Sequence, residues 1–232
     1  MDAELIMTVK QMQDRDAWLK MRMAGIGGSD AGTIVGDNPW KSSYALWLEK
    51  TGQIVPEDIS DKEPVYWGTA LEDIVAKEFT KRTGKRVRRC GTMQNTKKRW
   101  MLANVDRLII GEQAGLECKT TNAFNYKEWQ DDGLPNSYYW QCQHYMLCTG
   151  LPMWYIAVLI GGQHYDFKPV PRNDEDIDYT ARNWIFGRWC RRRRRRLLME
   201  AALQAKLLVN STREGIRIPW NCLKKLARPW LS

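Results

Sequence analysis

Three residues stand at a spacing that could do chemistry: Asp106, Glu117 and Lys119, within a stretch that reads NVDRLIIGEQAGLECKTTN from Asn104 to Asn122. Val105 to Ile110 is a short β-branched run and predicts a strand. Gly111 to Gly115 supplies turn chemistry, and Leu116 to Thr121 predicts the returning strand of a hairpin. Side chains alternate across a strand, so Glu117 and Lys119 share one face while Leu116 and Cys118 take the other. The hairpin can then lay Asp106 beside Glu117. Two carboxylates a few Å apart repel and raise each other's pKa unless a divalent cation sits between them, and oxygen-only ligation suits Mg²⁺ or Mn²⁺. The competing reading is an ordinary hairpin whose charged face is solvated, the commoner fate of such residues.

Further candidates flank this stretch. In GIGGSDAGTIVG, Ser29 or Asp30 can cap a short helix reaching Val35. Free N–H groups at that helix start, the Ser29 hydroxyl and Arg22 seven residues earlier could together hold a terminal phosphate. A cap and a flexible turn explain the glycines equally, because the loop is neither G-x-G-x-x-G nor a P-loop. Glu72 lies in VYWGTALEDIVAKEFTKRT, a helix pattern over Val65 to Thr83 that puts Leu71, Ile74, Val75 and Phe79 on one face with Glu72 at its edge. It points into a cleft or into solvent. Gln141 and Tyr145 are four apart, hence on one face of a helix over Tyr138 to Cys148. His144, between Gln143 and Tyr145, reads as a surface or satisfied histidine rather than a ligand, and His164 has no partner at metal-site spacing.

These residues need a frame. The pattern predicts helices over Arg15–Met23 and Ser43–Thr51, and strands over Lys85–Gln94 and Arg99–Ala103 ahead of the hairpin. Met153 to Ile160 is a nearly unbroken apolar run that predicts a buried strand, turning at Gly161-Gly162 and returning over Gln163–Val170. About five strands flanked by helices make an α/β chain.

Length and composition narrow the function classes. The 232 residues need no more than one core. No apolar run of membrane-spanning length and no signal pattern occurs, so a cytoplasmic protein without a membrane span is expected. The six cysteines form no C-x-x-C pair, which argues against zinc ribbons and common iron–sulfur spacings and for reduced, structural thiols. The net charge of +9 is unevenly spread: residues 1–180 carry 22 Lys and Arg against 25 Asp and Glu, whereas residues 181–232 carry 14 against 2. All of the basic excess is in the tail. Such a tail raises non-specific affinity for polyanions and says little about the folded part.

Taken in order, GIGGSDAGTIVG with NPW, WGTALE, VDRLI, LECKT and YYWQCQHYMLCTG resemble the YqaJ-like viral recombinase family over roughly residues 15–178. This is the phage alkaline exonuclease group that includes lambda exonuclease, within the PD-(D/E)XK nuclease superfamily. The resemblance implies a restriction-endonuclease-like core and a Mg²⁺-dependent deoxyribonuclease, with Mn²⁺ as a substitute, acting 5′→3′ from double-stranded DNA ends. It implies that Asp106, Glu117 and the main-chain carbonyl of Cys118 bind the metal and that Lys119 orients or activates the attacking water. By the same resemblance Glu72 is the helix carboxylate near the second metal position, Gln141 and Tyr145 form the Q-x-x-x-Y element, and Arg22 and Ser29 grip a 5′-phosphate. The implied partners are a single-strand-annealing recombination protein and further copies of the chain in a ring trimer. A structure-specific or nicking endonuclease and a catalytically idle end-binding relative are the alternatives; the complete carboxylate set disfavours the idle one. A Cas4-like nuclease would need an iron–sulfur cluster that this cysteine spacing does not offer. The nuclease domain is expected over 1–180. The arginine-rich tail, 181–232, departs from the family's often acidic end, and reads equally as a DNA-binding or oligomer-contacting extension and as a change of reading frame.

Overall fold

The hairpin forms where alternation placed it, within a wider sheet than expected. The computed structural model describes residues 1–59 and 61–181, so the tail from residue 182, with Trp184, Phe186 and Trp189, lies outside the described residues. Strands β1 (Ala3–Thr8), β2 (Val87–Asn95), β3 (Leu102–Ile109), β4 (Ala114–Thr121), β5 (Met153–Ile160) and β6 (His164–Pro171) form one sheet in sequence order. All neighbours are antiparallel except β4 and β5, which run parallel from Ala114↔Met153 to Thr121↔Ile160. The sheet therefore has six strands rather than about five. The unforeseen one, β1, leaves Leu5 and Ile6 exposed and so lacks the alternation that marks a half-buried strand. In addition, the predicted strand at Arg99–Ala103 and the first hairpin strand are one continuous element, β3.

Helices α1 (Arg15–Met23), α2 (Gly28–Val35), α3 (Ser43–Lys50), α4 (Glu63–Thr83) and α5 (Asn136–Thr149) complete the frame. A parallel pair needs a crossover, and a 3-10 segment (Ala123–Trp129) followed by α5 supplies it between β4 and β5. On one face of the sheet α4 buries Val75, Ala76 and Phe79 against Ile109, Ala114, Leu116 and Ala157. Ile74, assigned to that stripe from the sequence, is 54% exposed. The residues that meet the sheet are one turn apart at 75 and 79 with Ala76 beside them, and Ile74 lies about 100° round the helix from Val75. On the other face α5 presses Tyr145 and Met146 inward, with the Tyr145 and Trp154 rings 4.9 Å apart. Both faces of β4 are thus covered, which is what takes the carboxylate-bearing strand out of water. Cys90, Cys118, Cys142 and Cys148 are free thiols. No described helix is long and apolar enough to cross a membrane.

Candidate active site

β3 and β4 share only the pairs Arg107↔Leu116 and Leu108↔Gly115, and beyond them the ladder opens. Asp106 fills the opening: its Oδ2 accepts the Cys118 N–H at 2.9 Å, a backbone donor on β4 that β3 does not reach with its own carbonyl. Glu117, buried, lies on the α5 side of β4 as alternation requires, and Cys118 faces the α4 core. Lys119 Nζ lies 2.7 Å from Glu117 Oε1 and donates to Gln141 Oε1 at 3.0 Å. Gln141 Nε2 donates to Glu117 Oε1 at 2.6 Å and to the Tyr145 hydroxyl at 2.7 Å. The i, i+4 pair on α5 therefore closes over the strand residues, tying four predicted site residues into one hydrogen-bonded cluster.

The electrostatics of this cluster are unbalanced. Burial, then repulsion from Glu117 and Glu72, pushes the Asp106 carboxyl well above the usual carboxylate range, against the opposing pull of the Cys118 N–H and Lys119. Burial pulls Lys119 down, but Glu117 outweighs it and holds the ammonium above its ordinary pKa, so Lys119 is a cation at neutral pH. Burial, then Glu117, raises the Tyr145 hydroxyl and keeps it neutral. Glu117 Oε2 is buried with no hydrogen-bond partner among the described residues. An orphaned carboxylate oxygen beside a second carboxylate held up by burial and repulsion is a donor set that a divalent cation fits. Among the described residues no three His, Cys, Asp or Glu side chains form a metal cage by themselves.

Glu72 reaches the same region from α4, where its Oε1 accepts from Arg107 Nη1 at 2.5 Å. The glycine loop is brought alongside. Gly28 has no room for a side chain: a Cβ there would lie 2.5 Å from the Tyr145 ring and 3.0 Å from Gln141 Cγ. Its glycine is thus required by close approach to α5. The N-cap of α2 is Gly27, not Ser29 or Asp30, and Asp30 instead bonds back to the Gly27 N–H at 2.9 Å from inside the first turn. This frees the exposed Ser29 hydroxyl, which accepts from Arg22 Nη2 at 3.1 Å, while the Arg22 guanidinium lies 4.8 Å from the centre of the Trp18 ring. Arg22 and Ser29 are brought together, joined to the carboxylate cluster through Gly28.

Of the two readings for His144, surface or satisfied, the second holds. Its buried Nε2 lies 2.6 Å from the Leu102 carbonyl, and burial lowers its pKa to about 4, so the neutral ring donates there. Sequence reasoning missed two cations. Lys50 pairs with Asp30 at 2.8 Å and donates to the carbonyls of Arg22 and Gly25, both at 2.9 Å, thereby holding the glycine loop. Arg107, buried inside β3, ties Glu72 and Asp73 to the strand that carries Asp106. The signal available for Arg107 was a second charged residue, next to Asp106, in a strand whose other positions are mostly apolar, which implies a buried partner.

A buried Glu with a half-buried Asp and Lys, from adjoining strands of a mixed sheet flanked by helices, define a restriction-endonuclease-like α/β core. More particularly, the YqaJ-like viral recombinase domain matches residues 17–152, and the chain belongs to that family. It is 51% identical over 180 residues to the uncharacterized protein YqaJ of Bacillus subtilis, covering 76% of this chain and 56% of that protein, so the chain spans about half the length of this relative. Among solved structures, the alkaline exonuclease LHK-Exo from Laribacter hongkongensis matches at a TM-score of 0.66 with 17% identity, covering 82% of this chain and 99% of that one. The same enzyme in complex with dAMP matches at 0.65 with 19% identity and the same coverage. A phage-related exonuclease from Haemophilus somnus matches at 0.55 with 13% identity, covering 72% of this chain and 92% of that one. At these identities the likeness is one of fold.

Proposed function

We propose that this chain is a divalent-cation-dependent deoxyribonuclease that removes nucleotides 5′→3′ from double-stranded DNA ends. The observation that carries the reading is the Asp106–Glu117–Lys119 cluster with a buried, unsatisfied Glu117 oxygen, within a chain that has the fold of alkaline exonucleases. Asp106, Glu117 and the Cys118 main-chain carbonyl would hold Mg²⁺, or Mn²⁺ in its place. The cation supplies charge stabilisation to a phosphate undergoing in-line displacement. Lys119, held as an ammonium, stabilises negative charge building on a water oxygen beside it and does not itself take the proton. Gln141 fixes Glu117 through one oxygen and leaves the other for the site, and Tyr145 anchors Gln141. Glu72 adds a third carboxylate at the rim.

Arg22, Ser29 and the N–H groups opening α2 gather several donors where a 5′-phosphate would be received, and their junction with α5 at Gly28 supports end recognition over internal cleavage. In this reading residues 1–180 carry the chemistry and the basic segment 181–232 adds affinity for DNA. A ring of like chains and a single-strand-annealing partner in phage-type recombination fit the family. The test is incubation of the protein with 5′-phosphorylated linear duplex, hydroxyl-ended duplex and closed circular DNA, each with Mg²⁺ or EDTA. Cation-dependent loss of the phosphorylated linear duplex, with the circle intact, is expected. Cleavage of the circle would make the chain an endonuclease, and binding without hydrolysis an idle relative.

A further inference from the structure

The carboxylate pocket is bordered by two cations, and the proposed chemistry uses only Lys119. The other, Arg107, is 4% exposed. Its Nη1 donates to Glu72 Oε1 at 2.5 Å and to the Asp106 main-chain oxygen at 2.8 Å, and its Nη2 donates to Asp73 Oδ1 at 2.5 Å. Asp73 is itself held by Arg89 from β2. Residue 107 follows Asp106 on β3, so its side chain leaves the strand on the opposite face and meets α4 behind the Asp106 carboxylate. A strut between β3 and α4 is already provided by the Asp73 contact. The bond to Glu72 is an addition, and it has a particular geometry: one planar, fixed fork grips the backbone of the first site carboxylate residue and the side chain of a second. Because Arg107 Nη1 bonds both residues, Glu72 sits near Asp106, and with its side chain 30% exposed a Glu72 released from that bond would be free to turn toward solvent.

We propose that Arg107 is a positioning residue that holds Glu72 by Oε1 so that its other oxygen faces the Asp106–Glu117 pocket and the cation bound there. This rests on the cation-dependent reading above. Glu72 contributes to cation binding only while Arg107 restrains it, and Asp73 serves the fold.

The experiment is thermal melting of the full chain titrated with MgCl₂, a readout that needs no turnover, alongside kcat and KM on phosphorylated linear duplex. It compares the wild type with R107K, E72Q, E72Q/R107K and D73N. A lysine keeps the charge but cannot span Glu72, Asp73 and the Asp106 carbonyl together. R107K is expected to need about tenfold more Mg²⁺ for its half-maximal melting shift, and to lower kcat while leaving KM for DNA unchanged. E72Q/R107K should match E72Q alone, and D73N should melt lower than the wild type with an unchanged Mg²⁺ midpoint. An R107K midpoint equal to the wild type, an equal midpoint shift in D73N, or additive losses in the double variant would each overturn the proposal and leave Arg107 a strut. E72D, which draws the carboxylate back from an intact Arg107, keeps the test open if R107K does not fold. It should show the E72Q midpoint, and a wild-type midpoint would overturn the proposal. Absence of any Mg²⁺ shift in the wild type would instead defeat the cation-dependent reading itself.

Discussion

The glycine loop and the carboxylate pocket each contain a buried Lys–carboxylate pair, and the two differ in what they leave over. Lys50 and Asp30 are 2.8 Å apart with side chains 14% and 9% exposed; Lys119 and Glu117 are 2.7 Å apart with side chains 20% and 5% exposed. In the first pair the ammonium reaches Asp30 Oδ2 and the carbonyls of Arg22 and Gly25, Asp30 Oδ2 also takes the Gly27 N–H, and neither Asp30 oxygen is a buried atom left without a partner. It is closed. In the second, Lys119 and Gln141 both satisfy Glu117 Oε1, Oε2 has no partner among the described residues, and Asp106 is held up by burial and repulsion nearby. Burying charge is costly unless it is paired and hydrogen-bonded. A saturated pair therefore marks a structural brace, whereas a pair with an orphaned oxygen marks a place prepared for something the chain does not itself supply.

The largest effect should come from emptying the open pair. Asp106→Ala or Glu117→Ala should lower hydrolysis of linear duplex by hundreds-fold or more while DNA binding persists, and Lys119→Arg should be nearly as damaging as Lys119→Ala, because a guanidinium cannot replace a compact ammonium beside a reacting water. Single-turnover rates with saturating Mg²⁺ would decide it; retention of more than about a tenth of the activity would contradict the assignment.

Breaking the closed pair should act on stability instead. Lys50→Met leaves Asp30 buried without its cation and should cost about 3–5 kcal/mol in chemical denaturation. Added Mg²⁺ should recover none of that loss. Recovery would mean that the Asp30 pair is open too, and the contrast between the two regions would fail.

A smaller effect is expected at the loop surface. Arg22→Ala removes a charge-assisted donor to a terminal phosphate and should slow degradation of phosphorylated ends by about tenfold, bringing it to the rate on hydroxyl ends. Equal slowing of both substrates would reduce the loop to a turn and a cap.

The smallest effect concerns pH. Because the Asp106 carboxyl is raised in the folded chain, the folded state binds more protons than the unfolded state above the ordinary aspartate range, and its stabilising contribution is lost as pH rises through the raised value. Asp106→Asn removes that loss while an amide oxygen can still accept from Cys118. At neutral pH without Mg²⁺ it should melt higher than the wild type and lose the Mg²⁺-induced shift. A lower melting point in cation-free buffer would show that Asp106 is comfortable as buried and that the pocket is not strained.

The sequence by itself determined what neighbouring residues impose on one another. Two-residue alternation put Glu117 and Lys119 on one face of β4 with Cys118 behind, helical spacing aligned Gln141 with Tyr145, and helix α1 runs over the residues its pattern indicated. These relations lie within one element, where backbone geometry fixes side-chain direction. Only the tertiary structure decided the rest. The strand β1 carries no alternation because it is a largely exposed edge, and Ile74 left the core stripe because α4 leans on the sheet along a narrower line than its apolar residues suggest. Lys50 reaches Asp30 across 20 positions and Arg107 reaches Glu72 across 35, and nothing periodic relates such residues before the chain packs. Which charges pair is settled by which groups packing takes out of water together, and that is a property of the whole fold.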